Sequence, residues 1–410
     1  MTPLNYKRTK LACYFSYFTM SSVFVLPPLL FVTFHDLYQI SYTLLGTLVL
    51  INFFTQLSVD LIFTVFSKHF PVKKVLRIMP LITSFGLVFY GLLPRLFPQF
   101  AYGGLIIGTI VFSLSAGLSE VLLSPTIAAI PSKNPQRDMS MLHSLYAFGV
   151  VTMVAICSLF FRLFGTENYM WLSLFFACLT VIPAVLFMTS PIPDIQPQAE
   201  EKGLAAPKKR WVGLALCAFC IFFGSCAENT MTNWVSGYLE QVLHIDKALG
   251  DILGLALFAI LLGAVRISYA KFGKRIQPIL FFGMLGAAIC YLIAGFSVSV
   301  PLAFIACILT GLFTSMLWPG TLILMEEEIP RIGVFGYALM AAAGDFGASL
   351  APQLLGIVTD YVSATPHAIA SGAPTQMGLR AGMQVTAIFP ILGVITLLIT
   401  FQYFKKHAHK

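Results

Sequence analysis

Read only for hydrophobic and polar positions, the chain alternates long apolar runs with short polar breaks. The runs cover about residues 11–34, 41–66, 75–94, 99–130, 138–163, 168–190, 211–239, 247–270, 277–298, 301–325, 332–360 and 380–404. About 20 mainly apolar residues carry a helix across a bilayer, so the pattern predicts an all-α membrane protein of twelve transmembrane helices. Several runs are longer than a span needs, which predicts tilted or kinked helices, or ends that emerge into water. The longest polar stretch, PIPDIQPQAEEKGLAAPKKR at 191–210, is rich in Pro, Gln and charge and falls near the midpoint. It reads as a flexible cytoplasmic linker between two six-helix bundles, 1–190 and 211–410. Lys7, Arg8 and Lys10 precede a first run too long for a signal-peptide core and without a small-residue cleavage site. That run is expected to remain as a span.

Composition points the same way. The chain is 58% hydrophobic and 10% charged, with a mean hydropathy of +0.86. Soluble domains carry roughly 25% charged residues, so a water-exposed globule is excluded. The net charge of +8 is scattered over short loops rather than gathered on one patch, which argues against a nucleic-acid partner. With the N-terminus placed in the cytoplasm, the loops on that side hold 20 of the 25 Lys and Arg residues. The opposite side holds Arg95, Arg162, Lys247 and Arg380, and Arg266 lies within a span. This bias predicts that both termini are cytoplasmic. All eight cysteines fall in apolar runs and read as small hydrophobes. Neither Cys217/Cys220 nor the histidines have the spacing of a metal site, and no cofactor or metal is expected. No nucleophile triad or phosphate-binding glycine loop stands in the sequence, so the expected function is not enzymatic.

The halves repeat each other. Gly117-Leu118 followed by Pro125 recurs as Gly311-Leu312 followed by Pro319, an offset of 194. The second and eighth runs open alike, as ISYTLLGTL (40–48) and IDKALGDIL (245–253), with Ser41 and Asp246 as expected N-caps. Each of those runs ends in a basic turn, SKHFPVKK (67–74) and AKFGKR (270–275). Three matches in the same order point to duplication.

Twelve spans, a central basic linker and six-plus-six repetition resemble the major facilitator superfamily over essentially the whole chain. The resemblance implies two bundles that rock about a site near the bilayer midplane, giving alternating access. The superfamily's loop motif is degenerate here. Ser67 and Ala270 stand at its aspartates, while Lys68, Lys73, Lys74, Lys271, Gly273, Lys274 and Arg275 fit its other positions. Three segments resemble the fourth, fifth and seventh spans of the fucose/hexose–proton symporter branch: GLSEVLLSPTIAAIP (117–131), MLHSLYAFG (141–149) and GSCAENTMTNWVSGYLEQVLHI (224–245). One departure is that Leu11–Phe34 lacks the first-span carboxylate typical of that branch's sugar–proton members.

A charge at mid-bilayer costs roughly 2.5–3.5 kcal/mol on insertion scales, so intramembrane carboxylates call for a function. At a rise of 1.5 Å per residue, Glu120 lies about 20 Å from Lys133, Asp345 roughly 21 Å from Arg331, and Glu228 about 18 Å from Glu240. All three are expected to be buried in the bundle. Desolvation favours the protonated carboxyl, so alternate exposure could load and unload a proton at Glu120, Glu228 or Asp345. The alternative for each is a neutral carboxyl held in an interhelical hydrogen-bond network. Asp251, in the first turn of the eighth run, reads as structural. Asp60 and Arg266, near matching ends of the second and eighth spans, could hold a gate or serve as interfacial anchors.

Between the rims the sequence offers carboxylates but no cation deeper than Arg266, and an anionic solute needs a cationic anchor. Neutral polar solutes or cations remain. Asn229 and Asn233 share a helical face, Trp234 follows, His143 and Tyr146 stand three apart on the fifth span, and Trp318 precedes Pro319. Amides serve hydroxyls as donor and acceptor, and an indole offers a flat face to a pyranose ring. The expected function is a monomeric bilayer-embedded secondary transporter for a small neutral solute, with a sugar first in line. It is coupled to H⁺, with Na⁺ as the other coupling ion open, in a membrane such as a bacterial inner membrane. The rival reading is an efflux pump for lipophilic cations, served by many aromatics and 15 methionines. A membrane sensor would be expected to carry an appended soluble domain.

Overall fold

The computed structural model describes residues 5–66, 70–133, 135–194, 208–273, 275–329 and 333–407. Most of the expected linker, and the loop residues Ser67, Lys68, Lys274 and Arg331, lie outside the described residues. Among the described residues all regular structure is helical. The first half contributes α1 (Lys7–Leu29), α2 (Phe31–Tyr38), α3 (Tyr42–Phe66), α4 (Val72–Leu96), α5 (Ala101–Ala129), α6 (Pro135–Phe164) and α7 (Tyr169–Met188). The second half begins with α8 (Lys208–Gln241), α9 (Lys247–Gly250), a π-helical turn (Asp251–Ala256), α10 (Leu257–Phe272) and α11 (Ile276–Phe296). It continues through α12 (Val300–Thr314), α13 (Leu317–Glu328), α14 (Gly333–Ser363), α15 (Pro366–Ala370), α16 (Pro374–Thr386) and α17 (Ile388–His407).

Helices are what apolar runs must form in hydrocarbon, because only they pair every backbone N–H within the segment. Among the described residues, eleven helical stretches are long and apolar enough to cross a membrane. The remaining predicted span is α14, 31 residues long and diluted with Gly, Ala, Ser and Gln. Prolines mark breaks in three runs, the twelfth being divided between α16 and α17 with Pro390 just past the break. Pro27 and Pro28 sit in the last turn of α1, which stops at Leu29 before α2 starts. The tenth run breaks between α12 and α13, with Pro319 just past the break, whereas Pro125 is accommodated inside an unbroken α5.

The chain divides into two compact units. The described residues up to Ile40 and those from Ile51 to 194 form one; Ser41–Leu50 and those from 208 onward form the other. In the first unit α4 and α5 touch backbone to backbone. A Cβ on Gly86 would lie 2.4 Å from the Phe112 nitrogen, and one on Gly108 would lie 2.6 Å from the Tyr90 Cα. Small residues permit such approach where lipid offers no hydrophobic drive between helices. Hydroxyls add to it: Thr83 donates to Ser115 Oγ at 2.7 Å, and Ser115 donates to the Met79 carbonyl at 2.6 Å. Asn52 Oδ1 accepts from Gln56 at 2.9 Å and from Ser113 at 2.6 Å, which ties α3 to α5. The sequence repeat has a structural counterpart. Gly117 abuts Val59 and Gln56 of α3, and its offset partner Gly311 abuts Phe258 of α10.

In the second unit, Trp234 of α8 donates to the Pro352 carbonyl of α14 at 3.0 Å, and Tyr291 of α11 donates to the Ala227 carbonyl of α8 at 2.7 Å. The expected N-caps are in place: Ser41 accepts from the Leu44 amide at 3.3 Å and Asp246 from the Leu249 amide at 3.2 Å. Asp360 of α14 caps α3 as well, accepting from the Tyr42 and Thr43 amides at 2.9 and 2.6 Å. A carboxylate there satisfies two orphan donors and faces the positive end of the helix dipole. In the first unit, Lys10 of α1 forms an ion pair with Asp138 in the first turn of α6, ahead of the apolar stretch that starts at Ser144. The Lys10 ammonium beside Asp138 holds that carboxyl below the ordinary aspartate range.

Two expectations follow for the purified protein in detergent. Gly108→Ala forces the α4 and α5 backbones apart and should destabilise by about 1–3 kcal/mol, read as a lower Tm. Gly263→Ala, where a Cβ meets nothing within 4 Å, should leave Tm unchanged or raise it. A depressed carboxylate stabilises the fold above its unfolded pKa, and that contribution disappears as pH falls through the folded value. Asp138→Asn should therefore lower Tm at neutral pH, and its gap to wild type should close as pH is taken below about 4.

Candidate functional site

The first unit places two acids within electrostatic reach of each other. Glu120, midway along α5, acts on Asp60 of α3 and on Tyr17 of α1. Glu120 is closely surrounded by protein, yet its side chain is exposed rather than buried as its sequence context suggests. One Asp60 carboxylate oxygen is buried with no hydrogen-bond donor. Among the described residues, no cation forms an ion pair with either acid. Aromatic rings border Tyr17: the Tyr146 ring stands edge-on to it at 6.0 Å, and Phe24 stands edge-on to Tyr146 at 6.0 Å. A separate polar niche, lined by Ser16, Thr83, Ser119 and Thr180 among others, offers about 10 Å³ to the centre of a water molecule. That is room for one water, not for a sugar.

The second unit treats its acids differently. Glu228 of α8 lies 3.4 Å from an Arg266 terminal nitrogen, with the two side chains 20% and 41% exposed. Arg266 Nε also donates to the Ser315 carbonyl at 2.9 Å. The sequence places Arg266 toward one end of its span, but its long side chain carries the charge to the break in the tenth run. Glu228 is therefore compensated. Asp251, in the π-helical turn, is 1% exposed and accepts from Ser236, and Lys247 lies 3.7 Å from it and 3.4 Å from Glu240. An ion-paired group of this kind is in keeping with a structural role for Asp251.

The other singled-out side chains fall into distinct settings. Asn229 donates to Ser225 at 3.1 Å, and Asn233 to the Asn229 carbonyl at 2.8 Å, so their N–H donors turn back onto α8. Trp234 is 1% exposed, and its ring packs 5.9 Å from that of Tyr42. With its nitrogen engaged by Pro352, Trp234 offers no face to a solute. Trp318 is half-buried against Gly344 of α14, and Asp345 beside that glycine is buried. The side chain of His143 lies outside the described residues. Two participants escaped the sequence reading: Tyr17, one polar residue among several in the first run, and the Ser315 carbonyl. The second had a signal, since a proline strips the donor from the carbonyl four residues earlier.

Comparison with known proteins bears on this architecture. The family model of the Major Facilitator Superfamily matches residues 11–352. No curated protein matches the chain in sequence. Among solved structures, a bacterial homologue of the human lysosomal transporter Spinster, inward-facing and unoccupied, superposes with a TM-score of 0.78 at 13% identity, covering 99% of this chain and 98% of that one. The inward-open xylose transporter of E. coli gives 0.73 at 16% identity, covering 96% and 95%. A nucleoside transporter gives 0.70 at 15% identity, covering 97% and 98%. At these identities the likeness is one of fold.

Trp234→Phe removes the bond to Pro352 while keeping the ring. It should cost about 1 kcal/mol of stability, measured as Tm, with little effect on solute binding.

Proposed function

The chain belongs to the major facilitator superfamily, and from that premise we propose that it is a proton-coupled secondary transporter for a small neutral polar solute, with a sugar as the leading class. The observation that carries the reading is the pair Asp60 and Glu120, which face each other's charge with no cation paired to them among the described residues. Two carboxylates at close quarters repel when both are ionised, so the pair accommodates one proton readily and can release it when its surroundings change. Glu120, the more exposed of the two, is the carrier in this reading, and Asp60 its modulator. Glu228 is a weaker carrier because Arg266 already balances it.

The solute class follows from the same charge distribution. The Arg266 guanidinium, within the eighth span, is bound to Glu228 and to a backbone carbonyl, so it is already engaged and is a poor anchor for an anion. Hydroxyl-rich neutral solutes suit the amide of Asn229 and the ring of Trp318 in the second unit, and two of the structural neighbours bear the names of xylose and nucleoside transporters. Orientation with both termini in the cytoplasm follows from the loop cations.

A second reading has its own support. The rings of Tyr17, Tyr146 and Phe24 beside two acids would also receive a lipophilic cation, as in efflux pumps.

A thermal-shift panel of pentoses, hexoses, nucleosides and quaternary ammonium dyes separates the two readings, since stabilisation by dyes alone favours the second. With the stabilising solute loaded into proteoliposomes, counterflow at varied pH should lose most of its pH dependence in Glu120→Gln. A pH profile equal to wild type in active protein removes Glu120 from coupling.

A further inference from the structure

The tenth run is a broken helix, and the break has a chemical cause. Pro319 has no amide hydrogen, so in a continuous helix the carbonyl of Ser315, four residues earlier, would lack a donor. α12 ends at Thr314, α13 begins at Leu317, and the first amide past the proline, that of Gly320, donates to Met316 at 2.8 Å. Ser315 is 1% exposed, and a carbonyl buried without a partner is costly. Its donor comes from another helix: Arg266 Nε, at 2.9 Å. The other end of the same guanidinium reaches Glu228 of α8 at 3.4 Å. A planar fork of five N–H groups can serve a carbonyl and a carboxylate at once, which an ammonium cannot do in fixed geometry.

We propose that Arg266 is the positioning residue of the tenth span: its guanidinium stands in for the amide that Pro319 lacks, and it fixes the start of α13, with Trp318, to α8 and α10. Among the described residues, the matching place in the first half is built differently. Pro125 lies within an unbroken α5, and the register that matches Ile40 with Ile245 puts Leu61 where Arg266 stands. When the guanidinium leaves Ser315, α13 and Trp318 become free to turn about residues 315–316 while α12 stays seated. The inference rests on α8, α10, α12 and α13 alone, and it holds whether or not Glu120 couples transport to protons.

The test is hydrogen–deuterium exchange of peptides spanning residues 312–325 in the purified protein in nanodiscs, without added solute. Arg266→Gln should speed exchange there roughly tenfold. Arg266→Lys, which keeps the charge but loses the fork, should do the same and carries the test if the glutamine variant does not fold. Pro319→Ala restores an amide at position 319, so in that background Arg266→Gln should change exchange less than about twofold. Glu228→Gln, which leaves Nε on Ser315, should also stay within about twofold of wild type. The Trp318 emission, taken by difference against Trp318→Phe, should shift red in Arg266→Gln and return in the double variant. Equal acceleration with and without Pro319→Ala overturns the proposal, as does no acceleration in either Arg266 variant. Acceleration by Glu228→Gln as large as that by Arg266→Gln overturns it too, since the ion pair alone would then hold the segment.

Discussion

Hydrocarbon offers no hydrogen bonds, so a polar group carried into it is costly unless it is matched from within the protein. The helix packing follows from that constraint. Threonine and serine hydroxyls return to carbonyls of their own helices, as Thr126 does to Leu122 and Thr310 to Ala306. Others cross to a neighbour, as Ser173 does to Leu87. Tyr291 and Trp234 bring large apolar bodies inward only because the hydroxyl and the indole N–H each find a carbonyl. Even the proline break obeys the rule, with a guanidinium borrowed from α10.

Against this background, the segments that match in sequence between the halves differ where they hold charges. At the offset of 194, Glu120 corresponds to Thr314, whose hydroxyl closes onto Thr310. In the register of the second and eighth runs, Asp60 corresponds to Val265, next to Arg266. The contact between fourth and second spans thus carries two negative groups, and that between tenth and eighth carries a positive group on a carbonyl. On the reading proposed above, one half handles the coupling ion while the other holds a hinge.

Much of this was legible beforehand, for reasons that can be named. Apolar runs report spans directly, because the thickness of the bilayer sets their length. The Gly-Pro spacing reported the repeat because glycine is required where α5 meets α3 and α12 meets α10. α14 was legible as a helix even though its small residues dilute its hydropathy. The sites were less so. Arg266 was located by its Cα, yet the side chain delivers its charge well away from that point. Trp234 was a solute platform by type, but packing against α14 and Tyr42 decided its use. Glu120 was expected to be sealed, and whether a mid-helix acid meets water depends on neighbours in three dimensions. The Asp360 cap had no local signal, since its partners are 318 and 317 residues away in sequence.

That last separation has a consequence for biosynthesis. Helices enter the membrane in the order in which they are made, and an N-terminal domain ordinarily completes itself before the next emerges. Here the opening turn of α3 must wait, with Ser41 as its one local cap, until α14 has been translated. A chain arrested after the midpoint would therefore present a frayed second span, and co-expressed halves would have to find each other before that turn could close.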